Sequence, residues 1–184
     1  QEGMFFKDAT TLPEVDYNTL LAYLQGTGET CQSVYTNIYN VQSTYLQPRV
    51  REHKEVHISG RTYSTSKAHL GNSAIHLHIP NSENTSTGFI EAIWSTILHS
   101  KERTFFIVRT HRRLSFFDEV KAPFMHFHPR YGVQIKDARP SDNLVIIEHR
   151  HVIAHTSTLR RPAGTYGIPH ETLVVCTSLN RGRR

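Results

Sequence analysis

Apolar and polar positions alternate in short runs over most of this chain. From Lys54 onward "EVHISGRTYSTS", "AIHLHI", "RTFFIVRT", "YGVQIKD", "NLVIIEH", "HVIAHTS" and "ETLVVCTS" are rich in β-branched and aromatic residues, the composition of half-buried strands. Between them "GNS", "PNSENTSTG", "RPSDN" and "RRPAGTYGIP" carry turn chemistry. Seven or eight short strands without helical interludes predict a mainly-β chain built as an antiparallel barrel or sandwich.

One segment carries two periods at once. In "GFIEAIWSTILHS", Phe89, Ile90, Ile93, Trp94, Ile97 and Leu98 fall at helical spacing. The following "LHSKERT" reads as a hairpin turn running directly into "FFIVRT", and a hairpin needs a strand before it. The turn favours a strand over 89–98, and the periodicity leaves the choice open. Trp94, among isoleucines, is expected to be buried.

The first fifty residues follow a different grammar. "LPEVDYNTLLAYLQGTG" sets Tyr17, Leu20, Leu21 and Leu24 at helical spacing, with Asp16 able to cap and Gly26 able to stop a short helix. The Tyr-, Thr- and Asn-rich run after it reads as irregular, with room for one strand. The expected organisation is an N-terminal helical and irregular extension, 1–53, packed on a β-barrel domain, 54–184. No repeat, low-complexity block or long linker interrupts this plan.

Composition narrows the function classes. A chain of 184 residues can bury a proper core, and no run of about 18 apolar residues is present to span a membrane. The start lacks the blocks of a signal peptide, and a first residue other than Met is what a piece of a larger polypeptide would show. Cys31 and Cys176 lie far apart with no CxxC pair, so two reduced, buried thiols in a reducing compartment are expected. Charge is uneven. Residues 1–50 hold two basic and five acidic side chains, whereas residues 51–184 hold 19 basic and 11 acidic. Positive charge gathered in one part is the footprint of a polyanion binder.

Two kinds of chemistry compete for the candidate site. In "GNSAIHLHIP", His76 and His78 share one face of a strand, the geometry of strand-borne metal ligands. A cupin-like enzyme would complete the site with Glu83 and His170 as a three-nitrogen, one-carboxylate centre. Gly71 stands five positions before His76, Glu83 five after His78, and His170 far beyond Pro162 and Gly164. Together these spacings depart from the cupin pattern, so no metal or other cofactor is expected. Nucleophile elbows, phosphate loops and metalloprotease motifs are absent from the sequence. The arginines say more. Arg109, Arg112 and Arg113 follow one strand, Arg160 and Arg161 open a loop, and Arg181, Arg183 and Arg184 end the chain. The planar fork of arginine suits phosphate.

A resemblance rests on residues of the second half. Gly88, Ile90, Ile93 and Trp94, then Phe105 and Val108, then Val145, Ile146, Ile153 and His155, and a closing Leu179 to Arg183 resemble the C-terminal region of fungal transposon-encoded proteins of the Plavaka and Kyakuja-Dileera-Zisupton type. The order of elements is also similar to bromo-adjacent-homology (BAH) barrels. The likeness covers about residues 54–184. It implies a partly open antiparallel β-barrel, BAH-like, with a short N-terminal helix. It also implies a nuclear, non-catalytic accessory module that contacts DNA or a chromatin protein, attached to the remainder of a larger polypeptide. The catalytic carboxylates of such transposases lie in another region and have no counterpart here.

Overall fold

In the computed structural model, which describes residues 6–127 and 132–177, the alternating runs pair into antiparallel ladders. In chain order the elements are β1 (Thr10–Thr11), α1 (Glu14–Gly26), β2 (Cys31–Ser33), β3 (Thr44–Leu46), β4 (Arg49–His53), β5 (Glu55–Ile58) and β6 (Arg61–Ser64). There follow α2 (Leu70–Ser73), β7 (Ala74–His78), β8 (Thr85–Leu98), β9 (Lys101–Thr110), α3 (Phe116–Glu119) and β10 (Val133–Asp137). The chain then continues through β11 (Leu144–Glu148), β12 (Val152–His155), β13 (Ser157–Arg161) and β14 (Thr172–Cys176).

The β8–β9 hairpin is the spine. His99 and Ser100 both take positive φ, 51° and 60°, the two-residue turn whose twist matches paired strands, and Leu98 lies opposite Lys101. The segment read two ways is therefore a strand. Its helix-like spacing has a physical source: the register slips between Ile90 and Ala92, a bulge that inserts one residue and resets the alternation. Ile90 and Ile93 thereby share a face although three apart, and both join the cluster of Tyr63, Ile75, Leu77, Phe106, Val108 and Ile147. Trp94 and Leu98 fall on the opposite face with Phe105, Ile107 and Ile146. Both faces are covered, so apolar residues recur more often than every second position.

Around this hairpin the sheet forks. The outer edge of β8 carries β7 opposite Thr85–Phe89 and β4 opposite Ile93–Ser95, and the Ser66 amide donates to the Ile90 carbonyl at 2.7 Å between them. β11 lines the far edge of β9, β12 adds to β7 and β1 to β4, giving seven strands in one sheet among the described residues. This sheet takes β1 and β4 from residues before Lys54. Among the described residues it does not close into a barrel: the strand path ends at β1 and β12, with β11 at the edge beside β9. The chain is mainly β with few helices, and three strands, β10, β14 and β13, form a separate small sheet.

One face of the main sheet is sealed by α1. Tyr17, Leu20 and Leu24 are buried against it, and the Tyr17 hydroxyl donates to the Leu46 carbonyl at 2.9 Å. The helix starts one turn earlier than Asp16 would set as a cap: Pro13 occupies the capping position, and Glu14 and Asp16 sit in the first turn, where carboxylates complement the helix dipole. An ion-pair network clamps the helix end. Arg103 on β9 pairs with Glu29 and, at 2.8 Å, with Glu148 of β11, whose other oxygen accepts from the Tyr23 hydroxyl at 3.2 Å. Burial, reinforced by Glu148, pushes the Tyr23 phenol up to about 12. The other face is closed by the β5–β6 hairpin, turned at Ser59 and Gly60 with positive φ. Half-buried His155 stacks on buried Tyr63 at 4.7 Å and meets the Thr62 carbonyl with Nε2 at 3.1 Å. Cys31 is buried, whereas Cys176 is half-buried; both are free thiols.

Candidate nucleic-acid interface

β9 ends at Thr110. The chain continues through His111 to Arg112, which bridges to Asp137 of β10, and so carries the main sheet into the small one. Register then sets a row across four segments: Arg112 faces Asp137, Asp137 faces Thr172 of β14, and Thr172 faces Arg161 of β13. Adjacent strands lie about 4.8 Å apart, so the row spans roughly 14 Å. Arg113 and Arg160 sit one residue along on their own segments. Three stretches separated in sequence are brought to one sheet end.

Arg112, Arg139 and Arg160 are each held by a carboxylate. Asp137 is the hub, 4% exposed. Arg139 clasps it with Nε at 3.0 Å and Nη2 at 2.5 Å, Arg112 Nε stands at 3.8 Å, and His170 Nδ1 at 3.7 Å. Burial would raise the Asp137 carboxyl, but hydrogen bonds from Arg139 and the charges of His170 and Arg139 outweigh it and hold the pKa below its usual value. Arg160 Nη1 meets Glu171 at 3.1 Å. Arg109 is fully engaged: Nε and Nη2 grip Glu91 at 2.5 and 2.9 Å, and Nη1 donates to the Ser141 carbonyl at 2.5 Å. Its guanidinium therefore holds the fold together. The side chains of Arg112, Arg139 and Arg160 remain 53%, 58% and 59% exposed, and Arg113 and Arg161 are exposed as well. A guanidinium has five donors, so one edge on a carboxylate orients the fork and leaves the other edge for a ligand.

Beneath these groups lies a pocket of about 120 Å³ lined in part by Arg109, His111, Arg139 and Arg160. His111 is its neutral floor. The ring packs edge-on against Phe89 at 4.6 Å, and Nδ1 meets the Thr87 hydroxyl at 2.9 Å. Burial, then the neighbouring Lys136 ammonium, pushes the imidazole down to about 4. The unfolded chain takes up this proton near pH 6.5 and the folded one near 4, so stability present above pH 6.5 is lost as pH falls toward 4. The loss attributable to His111 should reach about 3 kcal/mol between pH 7 and 4. Chemical denaturation across that range should give a flatter profile for His111→Gln, and parallel profiles would refute the assignment. His53, His76, His149 and His151 are lowered by burial too and share the sign, which is why the comparison is between profiles.

The sequence candidates divide clearly. Arg112, Arg113, Arg160 and Arg161 gather at one end of the small sheet, and Arg109, on β9 of the main sheet, lines the pocket it shares with Arg160, while Arg181, Arg183 and Arg184 lie outside the described residues, as does the closing Leu179–Arg183 motif. Arg139 and Lys136 join the group unannounced. The signal was "KDARP", where Asp137 accepts from the Arg139 amide at 2.9 Å in a local side-chain turn. The four metal candidates are not brought together. His76 and His78 share one face of β7 as expected, Glu83 is exposed on the loop beyond it, and His170 sits with Asp118 at 3.3 Å and Asp137 on the small sheet. Among the described residues no group of three or more His, Cys, Asp or Glu side chains is placed to hold a metal ion. Comparisons with family models, curated proteins and solved structures gave no match.

Proposed function

We propose that this chain is a non-catalytic accessory module that binds DNA through the arginine group of the small sheet. The observation that supports it most is that Arg112, Arg113, Arg139, Arg160 and Arg161, from separate segments, all lie exposed at one end of the small sheet, several with one guanidinium edge fixed and the other open. The setting proposed is the one the resemblance implies: a mobile-element-derived nuclear protein, with the forked sheet and its β5–β6 cover as the body of a partly open, BAH-like barrel. The acidic partners of the arginines limit the net charge, so contact is through oriented forks rather than a broad positive field, and sequence preference is weak.

Neutralising about three phosphates gives a log–log salt slope near −2.7 on duplex DNA. Titration of a labelled duplex at several salt concentrations should show that slope for the wild type. The variant Arg113→Gln/Arg160→Gln/Arg161→Gln changes exposed side chains only and should bind with a markedly shallower slope. Absence of binding at low salt, or equal binding by the variant, would sink the DNA reading and leave a chromatin protein as the partner.

A further inference from the structure

Exposed apolar side chains scattered singly over a surface carry no message; a cluster does. Among the described residues, Phe116, Phe117, Val120, Met125 and Phe127 are all exposed within one stretch of twelve, with Phe116 and Phe117 at 73% and 78%. The local structure enforces this. Ser115 caps α3 by accepting from the Asp118 amide at 3.2 Å, and Asp118 turns inward to Lys121 at 3.1 Å and His170 at 3.3 Å. Ala122 is buried in the small-sheet core with Leu114, Ile135 and Ile168. With the inner side of the turn fixed by Asp118 and Ala122, the two phenylalanine rings are held outward. Their centroids are 6.0 Å apart and their planes cross at 76°, so the rings meet edge-on and are not stacked face to face.

Charge decides what these rings meet. A second exposed apolar group, Tyr35, Ile38, Tyr39 and Val41, lies in the stretch with two basic and five acidic side chains, which disfavours a polyanion. The 116–127 stretch instead follows Arg112 and Arg113 directly and is tied through His170 to Asp137, the carboxylate that holds Arg112 and Arg139. A phenylalanine face has nothing to gain from the closed stack of a duplex, but it takes an unpaired base readily. We propose that Phe116 and Phe117 form a stacking platform for unpaired bases beside the arginine group, so that single-stranded nucleic acid is bound more tightly than duplex. The inference rests on the arginine reading above and names its substrate class.

The test uses labelled oligothymidylate and a duplex of equal length, each titrated by fluorescence anisotropy at several salt concentrations. Wild type should bind the single strand about tenfold or more tightly than the duplex. Phe116→Ser/Phe117→Ser should remove that preference while duplex affinity and salt slope stay unchanged, and Phe116→Tyr/Phe117→Tyr should keep it. Both pairs replace exposed side chains, and matching thermal unfolding checks that the fold is intact. Equal wild-type affinity for the two probes, or a serine variant that weakens both alike or neither, would overturn the platform and leave the arginine reading standing. Binding of neither probe would overturn the arginine reading and this inference with it. A wild type that is dimeric by light scattering and a serine variant that is monomeric would identify the rings as a self-contact and overturn the platform too.

Discussion

Gly88→Ala should destabilise the protein by about 3 kcal/mol and Gly88→Val by more, among the larger effects of any single substitution in β8. A Cβ added at position 88 would lie 2.5 Å from the Arg109 carbonyl oxygen, 2.8 Å from Val108 Cγ1 and 3.0 Å from the Thr110 Cα. Two of these three neighbours are backbone of the paired strand, which cannot rotate away. The site is also fixed from both sides, because Gly88 pairs with Ile75 of β7 and Thr110 of β9. Relief requires β8 and β9 to separate where the chain leaves for the arginine row, next to the bond from the His111 amide to the Thr87 carbonyl at 2.7 Å. Urea unfolding should therefore show the loss, and adding Val108→Ala to Gly88→Ala should restore little of it, since the carbonyl contact remains. A Gly88→Ala protein within about 0.5 kcal/mol of wild type would show that the strands can part freely.

That glycine marks the boundary of what the sequence disclosed. Gly88 was visible as a patterned residue before Ile90, Ile93 and Trp94, but the reason for it lies on another strand. Most strand runs were legible because alternation and turn residues are local signals. β13 was not, since "STLRR" adds only Leu159 to a polar run and is a strand by virtue of pairing with β14. β4 was also hidden; "RVREH" has one buried side chain, Val50, and its place follows from the bulge that frees the second half of β8's edge. The candidate site was half legible. Arginine clusters announce themselves as composition, whereas the carboxylates that orient them, Asp137, Glu91 and Glu171, are contacts between segments that no spacing rule specifies. Nothing in the sequence marks the Phe116–Phe117 pair as exposed. It is exposed because Asp118 and Ala122 claim the inner side of the turn.

Trp94→Ala should remove about 3–5 kcal/mol of stability, a large-to-small change in a filled core. The indole is 6% exposed and belongs to the cluster of Tyr17, Leu20, Leu24, Val50, Leu98 and Phe105, so its deletion opens a void between α1 and the sheet. Glu52 and Phe105 flank it on the paired strands and are themselves held in register, which limits how far the wall can collapse. As the chain has one tryptophan, its emission reports this cluster directly: blue-shifted when folded and moving to the red with the global unfolding transition. Emission resembling free indole in the native protein, or a loss below about 1 kcal/mol, would contradict the burial. The arginine row stands on the third cluster, Leu114, Ala122, Ile135 and Ile168, which shares no residue with the first. Under conditions where Trp94→Ala remains folded, its salt slope for nucleic acid should therefore match wild type. A changed slope would mean that the two cores are coupled through β9, the one strand that reaches from Trp94's partner Phe105 to Arg109.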